Sequence, residues 1–314
     1  MSATRDRPAS SGRPPSDEKD APAIVAPSRS RIERRSPTRP RFVKGWEKKL
    51  RSKLAEAQAA PAPTAEPSGR VDIWVANPDE LLQAKSALSV LSEIDWISLN
   101  RIQDPSMRRS AVAARVLLRI GLSWAADHKI APSDWRFDSP ALSKPLVAED
   151  QPQIHFSISH VDQIVVVALS PTLDVGIDVE CIDQNVNDTV IAEFSHLDER
   201  HAVGGLPRPQ EIREFIRLWT LKEAYSKMLG LGHGLDFKAI QFTLDPVNLK
   251  STGDRQAQIA STQFENFYVS SHHALFHTSL AIRHRSGSSG STAVQIISLA
   301  NANGKDAAYS APLL

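Results

Sequence analysis

The chain has 314 residues, 37 Lys/Arg against 36 Asp/Glu and a 41% apolar fraction, the composition of an ordinary globular protein of one large or two small domains. No apolar run approaches the ~20 residues that span a bilayer, and the N-terminus lacks the charged, apolar, small-residue order of a secretion signal. The single cysteine, Cys181, excludes an internal disulfide in a monomer and any Cys-rich zinc motif; a cytoplasmic protein is expected, with Cys181 a buried structural thiol.

The near-neutral charge hides an asymmetry. Residues 1–70 hold 16 Lys/Arg and 8 Asp/Glu, roughly +8, which leaves roughly −7 for the rest. This first segment is rich in Pro, Ser, Arg and Ala, and Pro14-Pro15, Ser36-Pro37 and Pro61-Ala62-Pro63 break any regular pattern. It cannot bury enough apolar surface to offset its ordering entropy, so a disordered basic tail is expected. Within it, Gly45–Gln58 fits a short basic helix.

The folded part begins with the alternating Val71–Val75, a strand. Asn77-Pro78 reads as an N-cap followed by proline at the first helical position and predicts a helix to about Leu91. Asp104-Pro105 repeats the signal for a longer helix to about His128, whose Arg115 and Arg119 read as solvated or snorkelling positions. Trp135–Phe137 is a short strand and Ser143-Lys144-Pro145 a loop. Ile154–His160 and Gln163–Leu169 form a hairpin. Pro171-Thr172 then turns the chain into Val175–Glu180. A helical pattern runs from Val190 to His201, and a second from about Gln210 to Leu229, ended by Gly230, Gly232 and Gly234. Phe237–Leu244 is a strand, and Phe264–Ser271 with Ala274–Arg283 a hairpin. Ser286–Ser291 is a Gly/Ser linker, beyond which Ala293–Leu299 can add a strand. The boundaries expected are 1–70 for the tail, 71–177 and 178–285 for two α+β halves, and 286–314 for linker and C-terminal tail.

The residues that carry chemistry centre on Val175-Gly176-Ile177-Asp178-Val179-Glu180. Alternation along a strand puts Asp178 and Glu180 on one face and Ile177 and Val179 on the other. Adjacent carboxylates repel and call for a cation, and oxygen ligands of this kind suit Mg²⁺. On the later helix, Glu223 offers a third carboxylate with Lys227 one turn beyond. His272, His273 and His277 suggest a metal cluster at first sight. Adjacent strand residues face opposite ways, however, so no shared metal is expected there.

These stretches resemble the 4′-phosphopantetheinyl transferase superfamily in its larger, two-lobed, surfactin-synthetase-activating class. The family pattern Gly-(Ile/Val)-Asp-(Ile/Val)-Glu is matched by Gly176 to Glu180. Trp-x-x-Lys-Glu-(Ala/Ser)-x-x-Lys-x-x-Gly-x-Gly is matched by Trp219, Lys222, Glu223, Ala224, Lys227, Gly230 and Gly232. A strand ending in Ser-His is matched by Ser159-His160. The family's Gly-Lys-Pro loop after Arg-Phe is approximated by Arg136-Phe137 and Ser143-Lys144-Pro145, with Ser143 in place of glycine. The resemblance covers roughly residues 71–285 and rests on four motifs in the family's order.

The resemblance implies an α+β fold of two similar halves related by a pseudo-twofold axis, each a small antiparallel sheet packed on helices, with the site between them. It implies transfer of the phosphopantetheine arm of coenzyme A to a serine of an apo carrier protein of acyl, polyketide or peptidyl type. Mg²⁺ would be held by Asp178, Glu180 and Glu223, with Glu223 the base, directly or through a metal-bound water, and Lys227 on a phosphate. Ser159, His160 and Lys144 would bind the phosphates of coenzyme A. Arg109 is a weaker candidate for the 3′-phosphate, and the alignment does not separate it from Arg108. Trp219 reads as a scaffold residue, and Lys222 either pairs with a carboxylate or meets substrate. A monomer is expected, with neither membrane nor nucleic acid as partner. The competing readings are a Mg²⁺-dependent nuclease and a nucleic-acid-binding protein acting through the tail. If the tail helps an acidic core capture an acidic carrier, deleting residues 1–70 raises the KM for carrier, most of all at low salt. An unchanged KM at low salt would overturn that role.

Overall fold

The computed structural model describes residues 69–138, 144–252, 262–272, 274–284 and 292–299, and the backbone of 309–310. The basic tail, its Gly45–Gln58 segment, Ser143, His273 and the linker lie outside the described residues. One sheet has the order β11 (Thr292–Leu299), β1 (Gly69–Ala76), β5 (Ile164–Ser170), β4 (His155–Val161). The other has the order β12 (Tyr309–Ser310), β9 (Thr262–Ser271), β10 (Ala274–His284), β6 (Leu173–Cys181). Short antiparallel pairs are made by β2 (Phe137–Asp138) with β3 (Leu146–Val147) and by β7 (Ile240–Leu244) with β8 (Val247–Thr252).

Alternation sorts the side chains into layers. Val71, Ile73 and Val75 of β1, with Ile164, Val166 and Ala168 of β5, meet Val175, Ile177 and Val179 of β6 in a shared apolar layer between the sheets. The opposite face of the first sheet, with Trp74, Val165, Val167 and Leu169, is covered by α3 (Pro105–Ala125) through Val116, Leu117 and Leu118. The opposite face of the second is covered by α6 (Arg208–Leu229) through Leu221, Ala224, Tyr225 and Met228. Strand β5 is covered on both faces, which is why it reads as an uninterrupted apolar run. Each half is thus a sheet with one long helix on its outer face, as expected. The departure is β11, which pairs parallel to β1, so residues 292–299 complete the first sheet. The expected 177/178 boundary falls inside β6, all of which pairs with β10.

Two predicted helices divide. The helix expected to reach Leu91 stops at Leu82 as α1 (Pro78–Leu82), the chain is extended at Ala84, and a 3₁₀ turn follows over Lys85–Val90. The break turns Ala87, Val90 and Leu91 into the core. The Val190–His201 pattern becomes α4 (Asp188–Phe194) and α5 (Leu197–Val203), parted at the extended Ser195. His196 caps α5, with its own N–H received by Glu199. Helix α2 (Glu93–Leu99) was not predicted, although Ser92 and Asp95 form a capping box.

Arg119, expected near solvent, is 1% exposed. Its guanidinium lies 2.6 Å from Asp95 and donates to the carbonyls of Pro132 and Trp135. It ties α3 to α2 and to the chain leading into β2. A buried guanidinium persists because its donors are met.

The packing of α6 on β6 rests on Gly176. A Cβ there would lie 1.9 Å from the Ala224 carbonyl oxygen and 2.4 Å from the Met228 nitrogen. Helix backbone, which has no rotamer to yield, fills the place of a side chain. Gly176→Ala is expected to cost about 3 kcal/mol or more. Gly205→Ala, where nothing lies within 4 Å, should stay within about 0.5 kcal/mol. Urea unfolding of the two variants checks both.

Candidate active site

The site forms where the edges of the two sheets meet. On β4, Phe156 and Ile158 pack toward α3 while Ser157 and Ser159 point to β6. Ser157 Oγ accepts the Ile177 N–H at 3.0 Å, and Ser159 Oγ donates to Asp178 Oδ1 at 2.8 Å. Side chains of one sheet thereby satisfy polar groups on the edge of the other. Asp178 is 3% exposed. Its Oδ1 also receives Lys227 Nζ at 2.5 Å, while Oδ2 is buried with no hydrogen-bond partner.

Glu180 lies two residues on, on the same face. Burial first, then the Asp178 charge, pushes its carboxyl up to about 7. Hydrogen bonds from Gln184, at 3.2 Å, and from Trp219 oppose the shift. The Trp219 ring packs against Phe194, Phe215 and Phe237, so it is both scaffold and donor. Glu223 stands one turn before Lys227 on the half-buried stripe of α6. Among the described residues, no three His, Cys, Asp or Glu side chains converge as a metal site. The carboxylates do not form the expected triad: Lys227 occupies one oxygen of Asp178. The pair Asp178 and Glu180 nonetheless fits a divalent cation, because an orphaned buried carboxylate oxygen adjoins a second carboxylate that its neighbour's charge disfavours.

A cavity of about 470 Å³ is lined by Lys227, the partner of Asp178. Lys144, Arg115, His160 and Lys227 line it together with Phe156, Ile158, Leu99 and the Gly230–Gly232 turn. Gly230 has a φ of +72°, the left-handed C-cap that ends α6 and lets the chain fold back over the cavity. Lys144 donates to the Val175 carbonyl at 2.7 Å. Burial lowers its amine to about 8; Asp174 opposes the shift and Lys227 adds to it. His160 is held below the usual imidazole range by burial, then by Lys227 and Arg115. Mutual repulsion of cations around one cavity marks a place for a polyanion.

The remaining expected residues fall differently. Arg109 pairs with Asp79 at 3.2 Å and is not among the residues lining the cavity; Arg115, two turns on, lines it instead. A readable signal for Arg115 was its place one turn beyond Ala111 on a small-residue face. The Ser159 hydroxyl donates to Asp178, so it positions a carboxylate rather than facing a phosphate. Lys222, 1% exposed, pairs with Glu199 at 2.5 Å and donates to the carbonyls of Phe194 and Phe237. His272 lies 3.5 Å from Glu80, whereas His277 is buried against Thr220.

Residues 174–282 match the sequence profile of the 4′-phosphopantetheinyl transferase superfamily. The chain is 29% identical over 151 residues to a phosphopantetheinyl transferase of Thraustochytrium sp., covering 44% of this chain and 52% of that protein. It is 29% identical over 171 residues to the Nostoc sp. 4′-phosphopantetheinyl transferase HetI, covering 52% and 70%. It is 38% identical over 96 residues to the Aneurinibacillus migulanus 4′-phosphopantetheinyl transferase gsp, covering 31% and 38%. The matched regions span about half the length of the first of these relatives. Among the described residues, no helix is long and apolar enough to cross a membrane.

The Glu180 environment has a consequence for stability. A carboxyl raised from 4.5 to about 7 on folding contributes stability that is fully present below pH 4.5 and lost as pH rises through 7. In EDTA, Glu180→Gln should therefore gain on the native chain between about pH 4.5 and 7, by on the order of 2 kcal/mol, and hold that lead above. Chemical unfolding at stepped pH measures it; a constant difference across that window would contradict the assignment.

Proposed function

We propose that this chain, which is similar to 4′-phosphopantetheinyl transferases over part of its length, is a member of that superfamily, moves the phosphopantetheine arm of coenzyme A onto a serine hydroxyl of an apo carrier protein and releases adenosine 3′,5′-bisphosphate. The observation that carries this reading is Lys227, paired with Asp178, on the wall of a cavity that Lys144, Arg115 and His160 also line. A cavity lined by Lys144, Arg115 and Lys227 as well as by Phe156, Ile158 and Leu99 suits a nucleotide bearing several phosphates.

In this reading Lys144, Arg115 and Lys227 hold phosphate oxygens, Lys144 and Lys227 as point charges and Arg115 through its planar fork. His160, neutral in this setting, adds a donor. Asp178, fixed by Ser159, orients Lys227. Glu223 takes the proton of the carrier serine, directly or through a water. The serine oxygen bonds to the β-phosphorus as the bond to the bridging oxygen of the leaving nucleotide breaks. Asp178 and Glu180 would hold Mg²⁺, which would supply neutralising charge for the pyrophosphate. One chain supplies both sheet edges and the cavity wall, which supports a monomer. The two helix-on-sheet halves and the similarity to the Aneurinibacillus protein support the larger class. Glu223 and Lys227 share a helix rather than flanking strands, and this favours the transferase over the nuclease reading.

Intact-mass spectrometry of an apo carrier protein incubated with the chain, coenzyme A and Mg²⁺ tests the proposal. A phosphopantetheine mass gain is expected, abolished by EDTA and reduced at least ~100-fold by Glu223→Ala. A folded chain that modifies none of the acyl, polyketide and peptidyl carriers would overturn it.

A further inference from the structure

Behind Asp178 and Glu180, two polar rungs cross the second sheet on the face that carries α6. In register, Asp178 lies opposite Ser279, and Ser279 opposite Asn266. Two residues along, Glu180 lies opposite His277, and His277 opposite Tyr268. Directly opposed residues of an antiparallel pair share a face, so both rungs run from the carboxylates of β6 into the protein beneath α6. Ser279 and Thr220 are 0% exposed and His277 1%. Polar groups at this depth are in the large majority hydrogen-bonded.

One residue of α6 joins the rungs. Thr220 Oγ1 lies 2.9 Å from His277 Nδ1 and 2.8 Å from Ser279 Oγ, and Ser279 Oγ donates to Asn266 Oδ1 at 3.0 Å. When His277 Nδ1 carries the proton it donates to Thr220, whose single hydroxyl proton is shared between the Arg217 carbonyl at 3.1 Å and Ser279 Oγ, while Ser279 donates to Asn266. Burial keeps this imidazole neutral, far below the usual range at about 3, and the Tyr268 ring packs edge-on against it at 5.2 Å.

Thr220 is also one turn before Glu223 and two turns before Lys227 on the same stripe of α6. Apart from Lys227 on Asp178 and Trp219 on Glu180 at the site itself, the α6 contact is apolar: Leu221, Ala224, Tyr225 and Met228. Such packing is non-directional and permits small rolls about the helix axis. The Thr220 hydroxyl, held between two strand residues, does not.

We propose that the Thr220–His277–Ser279 clasp sets the roll and height of α6 over β6, and so aims Lys227 and Glu223 at Asp178 and Glu180. These three are positioning residues, since none touches the cavity. The catalytic consequence rests on the transferase reading. The geometric one does not.

Two readouts separate them. Competitive acetylation with trace acetic anhydride, followed by peptide mass spectrometry, reports how well Asp178 shields the Lys227 amine, with exposed Lys129 as reference. Thr220→Val, which removes the hydroxyl at nearly equal volume, and Ser279→Ala should each raise the Lys227-to-Lys129 labelling ratio at least threefold. Thr220→Ser should restore the native ratio. In the transfer assay, Thr220→Val should lower kcat ten- to a hundredfold with the KM for coenzyme A within threefold, again rescued by serine. A lowered melting temperature with unchanged Lys227 labelling and unchanged kcat in both variants would reduce the clasp to ordinary core hydrogen bonding and overturn the proposal. Altered labelling in a chain whose native form transfers nothing would leave the clasp standing and remove the transferase reading instead.

Discussion

Helix α6 lies directly on strand β6 because Gly176 has no side chain, and the candidate site is built at that contact. With the Ala224 carbonyl and Met228 nitrogen where a Cβ would be, the next residue on that face, Asp178, comes within 2.5 Å of Lys227. Apolar packing alone does not specify so short a distance; it fixes area rather than register. The register comes from polar contacts at the margins: Ser157 and Ser159 reaching across from β4, Trp219 on Glu180, and Thr220 between His277 and Ser279.

The protein holds two further buried charge pairs, placed similarly in its two halves. Arg119 with Asp95 ties α3 to α2, and Lys222 with Glu199 ties α6 to α5 and, through the Phe242 N–H received by Glu199, to β7. Each cation also donates to backbone carbonyls. A desolvated ion is costly alone, and removing one partner typically costs about 3–5 kcal/mol. Such pairs are better read as devices that accept one arrangement of elements than as sources of stability. Lys144, Lys227 and Arg115 are different, for they surround a cavity and raise its positive potential. The protein therefore separates charges that hold the fold from charges that line a cavity, although Arg119 and Arg115 share one helix and Lys222 and Lys227 another.

How much of this was legible follows from the range of each signal. The strands β1, β4, β5, β6 and β10 and the long helices α3 and α6 declare themselves through two- and 3.6-residue periods and through local caps: Asp104-Pro105 for α3 and Gly230 for the end of α6. The single helix expected over Val190–His201 conceals a break, because the need to deliver Glu199 to Lys222 is a contact between distant residues. The capping box of α2, by contrast, was present in Ser92 and Asp95 and was legible.

By itself the sequence determined the alternation that places Asp178 and Glu180 on one strand face, the helical spacing that puts Glu223 and Lys227 on one stripe, and the motif set that resembles the 4′-phosphopantetheinyl transferases. These are properties of neighbours along the chain. Only the tertiary structure decided that Arg115 and not Arg109 faces the cavity, that Arg119 and Lys222 are buried with partners, that Ser159 serves Asp178, and that β11 closes the first sheet in parallel. Each depends on which helix face meets which strand edge. That choice is made by packing between residues far apart in sequence, and neither periodicity nor spacing records it.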